Sequence, residues 1–291
     1  MGALELAMVV ASALLHATWG ASIKGSRDPL AFNVAQSTVT VALGLPLIPW
    51  LGLGLLPQGV WWLVAATGVA HGAYWYGLSR ALTESDLSLT YPIIRSTPAF
   101  LPFVAVPLLG EQLSVAGGLG IAIVVAGIWA LRGSAPAGAP AQRSLHIAYF
   151  TLVTTVAYSL LDKQVMAVVS DGPWSAAVPR SLVVYYLVSA AGLLGFLPLA
   201  LPRMERGAVP ARLRQEGGRV LGAVAIGVVG YGLILEAYRT APASYVVAVR
   251  QLSVLFALVL AVAFFRERPT RRRVVGAVAT VAGVVLIALR G

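Results

Sequence analysis

The sequence contains no cysteine, and charged residues fill only 11% of its 291 positions, against roughly 25% in an ordinary globular chain. The first absence excludes a disulfide framework, a thiolate metal site and a cysteine nucleophile, and leaves the redox compartment unread. The second, with 58% hydrophobic residues and a mean hydropathy of +0.84, points to a membrane protein. Acidic residues are scarcest, 11 Asp and Glu against 21 Lys and Arg. The net charge of +10 would suggest nucleic acid in a soluble protein, but in a membrane chain the basic residues report topology first. H-E-x-x-H, G-x-S-x-G and carboxylate-pair patterns are also missing, so no enzyme chemistry is indicated.

What is present is a series of long apolar runs. A helix needs roughly 20 apolar residues to cross about 30 Å of hydrocarbon, and the runs are long enough to be helices. Ten spans are expected, near 3–24, 30–51, 60–80, 87–109, 113–132, 145–167, 174–200, 218–238, 242–265 and 273–289. Turn punctuation such as "GSRDP", "TESD", "SDGP" and "RERPTRRR" separates them. The first run has no basic region before it and is too long for a typical signal peptide, so it counts as a span. Nearly all the loop arginines and lysines then fall on one side, and only Lys163, Arg239 and Arg290 fall on the other. The positive-inside rule makes the rich side cytoplasmic and puts both termini outside.

The two halves share a plan. "LGEQLSVAGGLGIAIVVAG" (109–127) parallels "FRERPTRRRVVGAVATVAG" (265–283), matching Glu111 with Glu267, Gly120 with Gly276 and Gly127 with Gly283. "YPIIR" matches "VVAVR", and "TWGASIK" matches "AYSLLDK", which equates Trp19 with Tyr158 and Lys24 with Lys163. The expected organisation is therefore a first five-helix repeat at 1–133, a Pro/Gly/Ala-rich linker at 134–143 and a second repeat at 144–291. An odd number of spans per unit inverts the second copy, an architecture of secondary transporters whose site lies near the midplane.

On these segments, with "LLHATWGASIK" and "ESDLSLTYPIIRSTPAFLPFVAVPLLGEQ", the chain resembles the EamA-type transporters of the drug/metabolite transporter superfamily over nearly its whole length. The resemblance implies an all-α polytopic protein of the bacterial inner membrane that exports small metabolites, foremost amino acids including aromatic ones. A more distant likeness to sugar-phosphate and nucleotide-sugar carriers makes an organic-anion carrier the alternative. No cofactor is implied. The expected partners are a small-molecule cargo and the bilayer, not nucleic acid, with the chain acting as a monomer.

Ionisable residues inside spans are the sharpest signal of a site, because an arginine at a helix centre costs about 2.5–3.5 kcal/mol on insertion scales. Arg95, Arg180 and Arg250 are the three, with Arg95 and Arg250 in equivalent places of the two halves. His16, Trp19, His71, Tyr74, Leu78, Tyr91, Tyr158, Tyr231 and Tyr245 complete the expected cavity lining, several of them three or four apart on one helical face. A zwitterionic cargo needs a cation for its carboxylate and an apolar or aromatic surface for its side chain, which this set supplies. Pro92, Pro98, Pro102 and Pro107 are expected to let the fourth span bend as a gate, asymmetrically, since the ninth has proline only at Pro242. Glu111 and Glu267 are expected to cap the helices that follow them. Lys24 and Lys163 are assigned to a mouth or to pairing with Asp28 and Asp162. Asp162 and Glu236 sit near expected helix ends, so no carboxylate lies deep in a span, and that favours uncoupled export, with His16 and His71 the remaining candidates for carrying a proton.

Overall fold

The computed structural model describes residues 1–84, 87–131, 142–265 and 270–290. Among them there are twelve α-helices, three short 3-10 segments and no strand. The helices are α1 (Ala3–Lys24), α2 (Pro29–Gly44), α3 (Val60–Glu84), α4 (Leu87–Ile94), α5 (Thr97–Leu109), α6 (Val115–Ala130), α7 (Gln142–Ser170), α8 (Arg180–Ala200), α9 (Ala208–Tyr238), α10 (Ala243–Arg250), α11 (Leu252–Phe265) and α12 (Arg271–Arg290). Seven helical stretches are long and apolar enough to cross a membrane, namely 3–24, 29–50, 90–109, 144–170, 180–203, 208–238 and 271–290. The 16-residue α6 and the stretch 243–259 are apolar but shorter. The 25-residue α3 lies outside the seven and buries a polar and aromatic face that includes Thr67, His71, Tyr74 and Ser79.

Helix boundaries follow local chemistry. Asp28 accepts a hydrogen bond from the Ala31 amide at 3.0 Å, and Pro29 at the first helical position lacks the amide that would otherwise go unpaired. Asp28 is thus the cap of α2 and not a partner of Lys24, which is exposed. Ser114 caps α6 through the Gly117 amide at 2.9 Å. α5 ends at Gly110, whose φ of +65° suits glycine. The seventh run becomes helical only at Arg180, six residues after the expected start, because Pro179 is the residue before the helix. α9 starts ten residues early and kinks at Glu216, where φ is −128°. Residues 134–141 of the Pro/Gly/Ala-rich linker and Glu267 lie outside the described residues, and the last two linker positions, Gln142 and Arg143, open α7.

The expected fourth and ninth spans are each divided in two. α4 and α5 separate at Arg95–Ser96, and α10 and α11 separate at Gln251. The expectation of asymmetry is overturned here. Pro92 and Pro98 flank the first break and no proline lies near the second, yet the second follows Arg250 directly, as the first begins at Arg95. In the first, the Ser96 hydroxyl donates to the Pro92 carbonyl at 2.7 Å and the Thr97 hydroxyl to the Ile94 carbonyl at 3.2 Å. In the second, the Gln251 amide donates to the Ala248 carbonyl at 3.1 Å, and the Gln251 side chain donates to the Val247 carbonyl at 3.1 Å. Tightened turns and side-chain donors make both breaks, with or without proline. Pro98 sits in the first turn of α5, and Pro102 and Pro107 lie inside an unbroken helix.

Packing follows a regular plan. α6 runs along α12, α3 packs on α7 and α8, and α9 packs on α1 and α2, while α4 and α5 contact α7 much as α10 and α11 contact α1. These principal contacts map onto one another when the first half is exchanged for the second. The α6–α12 contact is a close one. A Cβ on Gly120 would lie 2.8 Å from the Gly283 carbonyl oxygen, and one on Gly127 would lie 2.8 Å from the Gly276 carbonyl oxygen. Only glycine allows backbones this near, and the pairing makes the two helices antiparallel.

Candidate functional site

α1, α2, α3, α7, α8 and α9 enclose a cavity of about 90 Å³, several times the space one water molecule needs. A second, of about 20 Å³, lies toward the breaks in α4/α5 and α10/α11. His16, Tyr74, Tyr158 and Arg250 line both, so these four side chains form the wall between them. Trp19, His71 and Tyr231 line the larger cavity and Arg95 the smaller. Eight of the eleven side chains expected to bind cargo therefore converge. Leu78 is buried behind the wall beside Tyr74 and Tyr158, and Tyr91 lies under Arg95. Tyr245 is elsewhere: its hydroxyl accepts from the Ser114 amide at 2.9 Å, over Gly117 of α6. Arg180 does not reach the cavities either. It begins α8, bonds the Gly172 carbonyl and lies over the Trp174 ring.

The centre of the wall is an imidazole between two guanidiniums. Arg95 Nη2 is 3.1 Å from His16 Nε2, and Arg250 Nη2 is 3.3 Å from His16 Nδ1. A neutral imidazole has one acceptor nitrogen and one N–H, and a guanidinium has no acceptor, so one of these two contacts always sets donor against donor. Arg95 also donates to the Tyr91 hydroxyl at 3.0 Å and lies 4.9 Å from that ring's centroid, and Arg250 lies 5.1 Å from the centroid of Tyr231. The Nε atoms of both arginines are buried without a hydrogen-bond partner among the described residues. Neither cavity is lined by a described carboxylate. Two cations thus face a space that holds no counter-charge, the electrostatic condition for receiving an anion.

Around the larger cavity the surface is aromatic and hydroxylic. His16 stacks on Trp19 with centroids 5.2 Å apart, and His71 stacks on Tyr158 at 4.2 Å. Trp19 donates from its indole to Gln36 Oε1 at 3.0 Å, Gln36 donates to Asn33, and Asn33 donates to the Ser79 hydroxyl at 3.1 Å. This chain fixes the Trp19 face from α2 and α3. Ser12, Ser37, Thr40 and Ser189 add neutral polar groups.

Asp162 was not among the expected site residues, and its placement near a helix end does not hold. α7 continues to Ser170, and the Asp162 side chain is fully buried. It accepts from the Thr67 hydroxyl at 2.6 Å and from the Tyr231 hydroxyl, and it faces His71 Nε2 at 3.0 Å. Lys163, its neighbour, does not pair with it, and its ammonium donates to the carbonyls of Tyr238 and Ala241 at 2.5 and 3.0 Å. The signal that would have found Asp162 was its spacing, four residues after Tyr158 on the same face of α7.

Glu111 is a cap, but not of the helix that follows it. It accepts from the Ala243 amide, the Ser244 amide at 3.2 Å and the Ser244 hydroxyl at 2.6 Å, which closes the N-terminus of α10 in the other half.

Three comparisons bear on this geometry. The sequence model of the EamA-like transporter family matches residues 3–133 and 166–289. An uncharacterized transporter encoded in the cobO 3′ region of a Sinorhizobium species is 31% identical over 78 residues, which cover 27% of this chain and 55% of the relative. The chain thus spans only about half the length of that curated relative. A crystal structure of a protein superposes with a TM-score of 0.73 at 20% identity, covering 99% of this chain and 98% of the other, and shows a shared fold.

Proposed function

This chain belongs to the EamA-like transporter family, and from that premise we propose that it exports small carboxylate-bearing metabolites across the inner membrane, foremost amino acids including aromatic ones. The observation that carries the reading is the pair of guanidiniums on His16, which face cavities with no lining carboxylate. A cargo carboxylate supplies the missing counter-charge and takes bidentate hydrogen bonds from Arg250. The rings of Trp19, Tyr158 and Tyr231 offer flat faces to a side chain and quadrupoles to an ammonium group.

In this reading ten helical units span the membrane as two inverted five-helix repeats, with both termini outside. Several observations support it. The family matches in two stretches, and the principal packing contacts recur when the halves are exchanged. The glycine contacts behave as a two-fold axis demands: Gly120 meets Gly283, the counterpart of Gly127, while Gly127 meets Gly276, the counterpart of Gly120. Transport is by alternating access, with the halves rocking about α6 and α12 and the wall of His16, Tyr74, Tyr158 and Arg250 opening to either side.

An organic anion without an ammonium group is the second reading, favoured by the same unmatched guanidiniums. Flux assays in liposomes with labelled amino acids and anionic metabolites separate the two. Amino-acid flux without anion flux supports the first reading, anion flux alone supports the second, and flux of neither overturns both.

A further inference from the structure

We propose that Asp162, His71 and Tyr231 form a proton-binding site, and that its proton exchanges for the cargo, which makes the protein a proton antiporter; this rests on the export reading above. The motive is a carboxylate where a membrane chain does not place one idly. Ionisable groups in spans are costly and mark ion or proton pathways, and among the described residues Asp162 has no ion pair with a lysine or arginine. Its three neighbours are neutral or titratable hydrogen-bonding groups, drawn from α3 and α9: Thr67, His71 and Tyr231. Two hydroxyl donors and a ring nitrogen of His71 face the carboxylate, so a further proton has two places to go, the imidazole of His71 or Asp162 itself. The proton arrives from water in the cavity and leaves to it, with no other bond made or broken.

The site has access and linkage. His71 and Tyr231 line the larger cavity, so Asp162 stands one side chain behind its wall. The titratable groups facing it are Tyr158, stacked on His71 from its own helix, and Tyr231 and Tyr238 from α9. Arg250 of α10 lies over the ring of Tyr231, and His16 of α1 and Arg95 adjoin it in turn. Lys163 is turned away to backbone carbonyls. A cargo whose carboxylate rests on Arg250 brings its ammonium toward the same tyrosines. Proton and ammonium are then two cations at one small cavity, and the binding of either disfavours the other. An inward proton gradient would drive cargo out.

The test uses purified full-length protein in liposomes loaded with a labelled amino acid, with potassium and valinomycin clamping the potential at zero. A pH difference of about one unit should sustain roughly a tenfold cargo ratio, higher on the alkaline side's opposite face as exchange requires. Asp162→Asn, which keeps the size and hydrogen-bonding reach, should abolish that accumulation while equal-pH exchange of labelled for unlabelled cargo persists. Accumulation on the alkaline side itself, which is symport, or full gradient response in Asp162→Asn, overturns the proposal. A second readout needs no cargo: in weakly buffered detergent solution, acidification should load one more proton onto the wild-type protein than onto Asp162→Asn. Equal proton uptake by the two proteins refutes the proton site whatever the vesicles show, whereas a difference with no flux of any cargo faults the transport reading alone.

Discussion

Arg95 and Arg250 hold opposite nitrogens of one imidazole, at 3.1 and 3.3 Å, although they belong to different halves of the chain. Their environments differ. Arg250 lines both cavities, while Arg95 lines the smaller and is held by Tyr91.

Arg250→Lys should therefore raise the half-saturation concentration of cargo roughly tenfold with little change in maximal flux. It keeps the charge and removes the two-pronged geometry, and a charge-assisted hydrogen bond is worth about 1.5–3 kcal/mol. Arg95→Lys should act mainly on maximal flux, since its partners are the wall and the break in the helix. Concentration-dependent uptake in liposomes measures both.

The helix breaks should survive loss of proline. Pro92→Ala and Pro98→Ala are expected to leave maximal flux within about threefold of wild type, because the break at Gln251 forms from tightened turns and a side-chain donor without any proline. A collapse of flux in either variant would return proline to the mechanism.

Gly127→Ala should destabilise the fold by about 1–3 kcal/mol, the usual cost of overpacking, because its Cβ would lie 2.7 Å from the Thr280 amide nitrogen. Gly118→Ala on the same helix meets nothing within 4 Å and should be neutral or slightly stabilising. Thermal unfolding in detergent compares them.

Glu111→Ala should cost about 1–2 kcal/mol, as loss of a helix cap does, and should loosen the start of α10 and not α6. Amide exchange at Ala243 and Ser244 reads the position directly. Faster exchange confined to Val115–Gly118 would contradict the assignment.

Spans were legible because apolar runs and their punctuation are local properties, and the paired arginines were legible because they recur in register. His16, Trp19, His71, Tyr74, Tyr158 and Tyr231 could be collected as polar or aromatic residues in apolar helices, and the fold brings them to one cavity. Asp162 was lost to a helix boundary placed too early. Glu111 was assigned to the wrong helix because a cap from another half leaves no local trace. Tyr245 shows the converse: a tyrosine in an apolar helix whose hydroxyl accepts from the Ser114 amide and which lines neither cavity.

The glycine contact of α6 with α12 has a consequence for altering this protein's selectivity. Neither cavity takes any of its lining from those two helices. The joint between α6 and α12 and the chamber proposed to meet the cargo are thus separate parts of one chain, and side chains of the chamber are open to redesign while the joint is left as it stands.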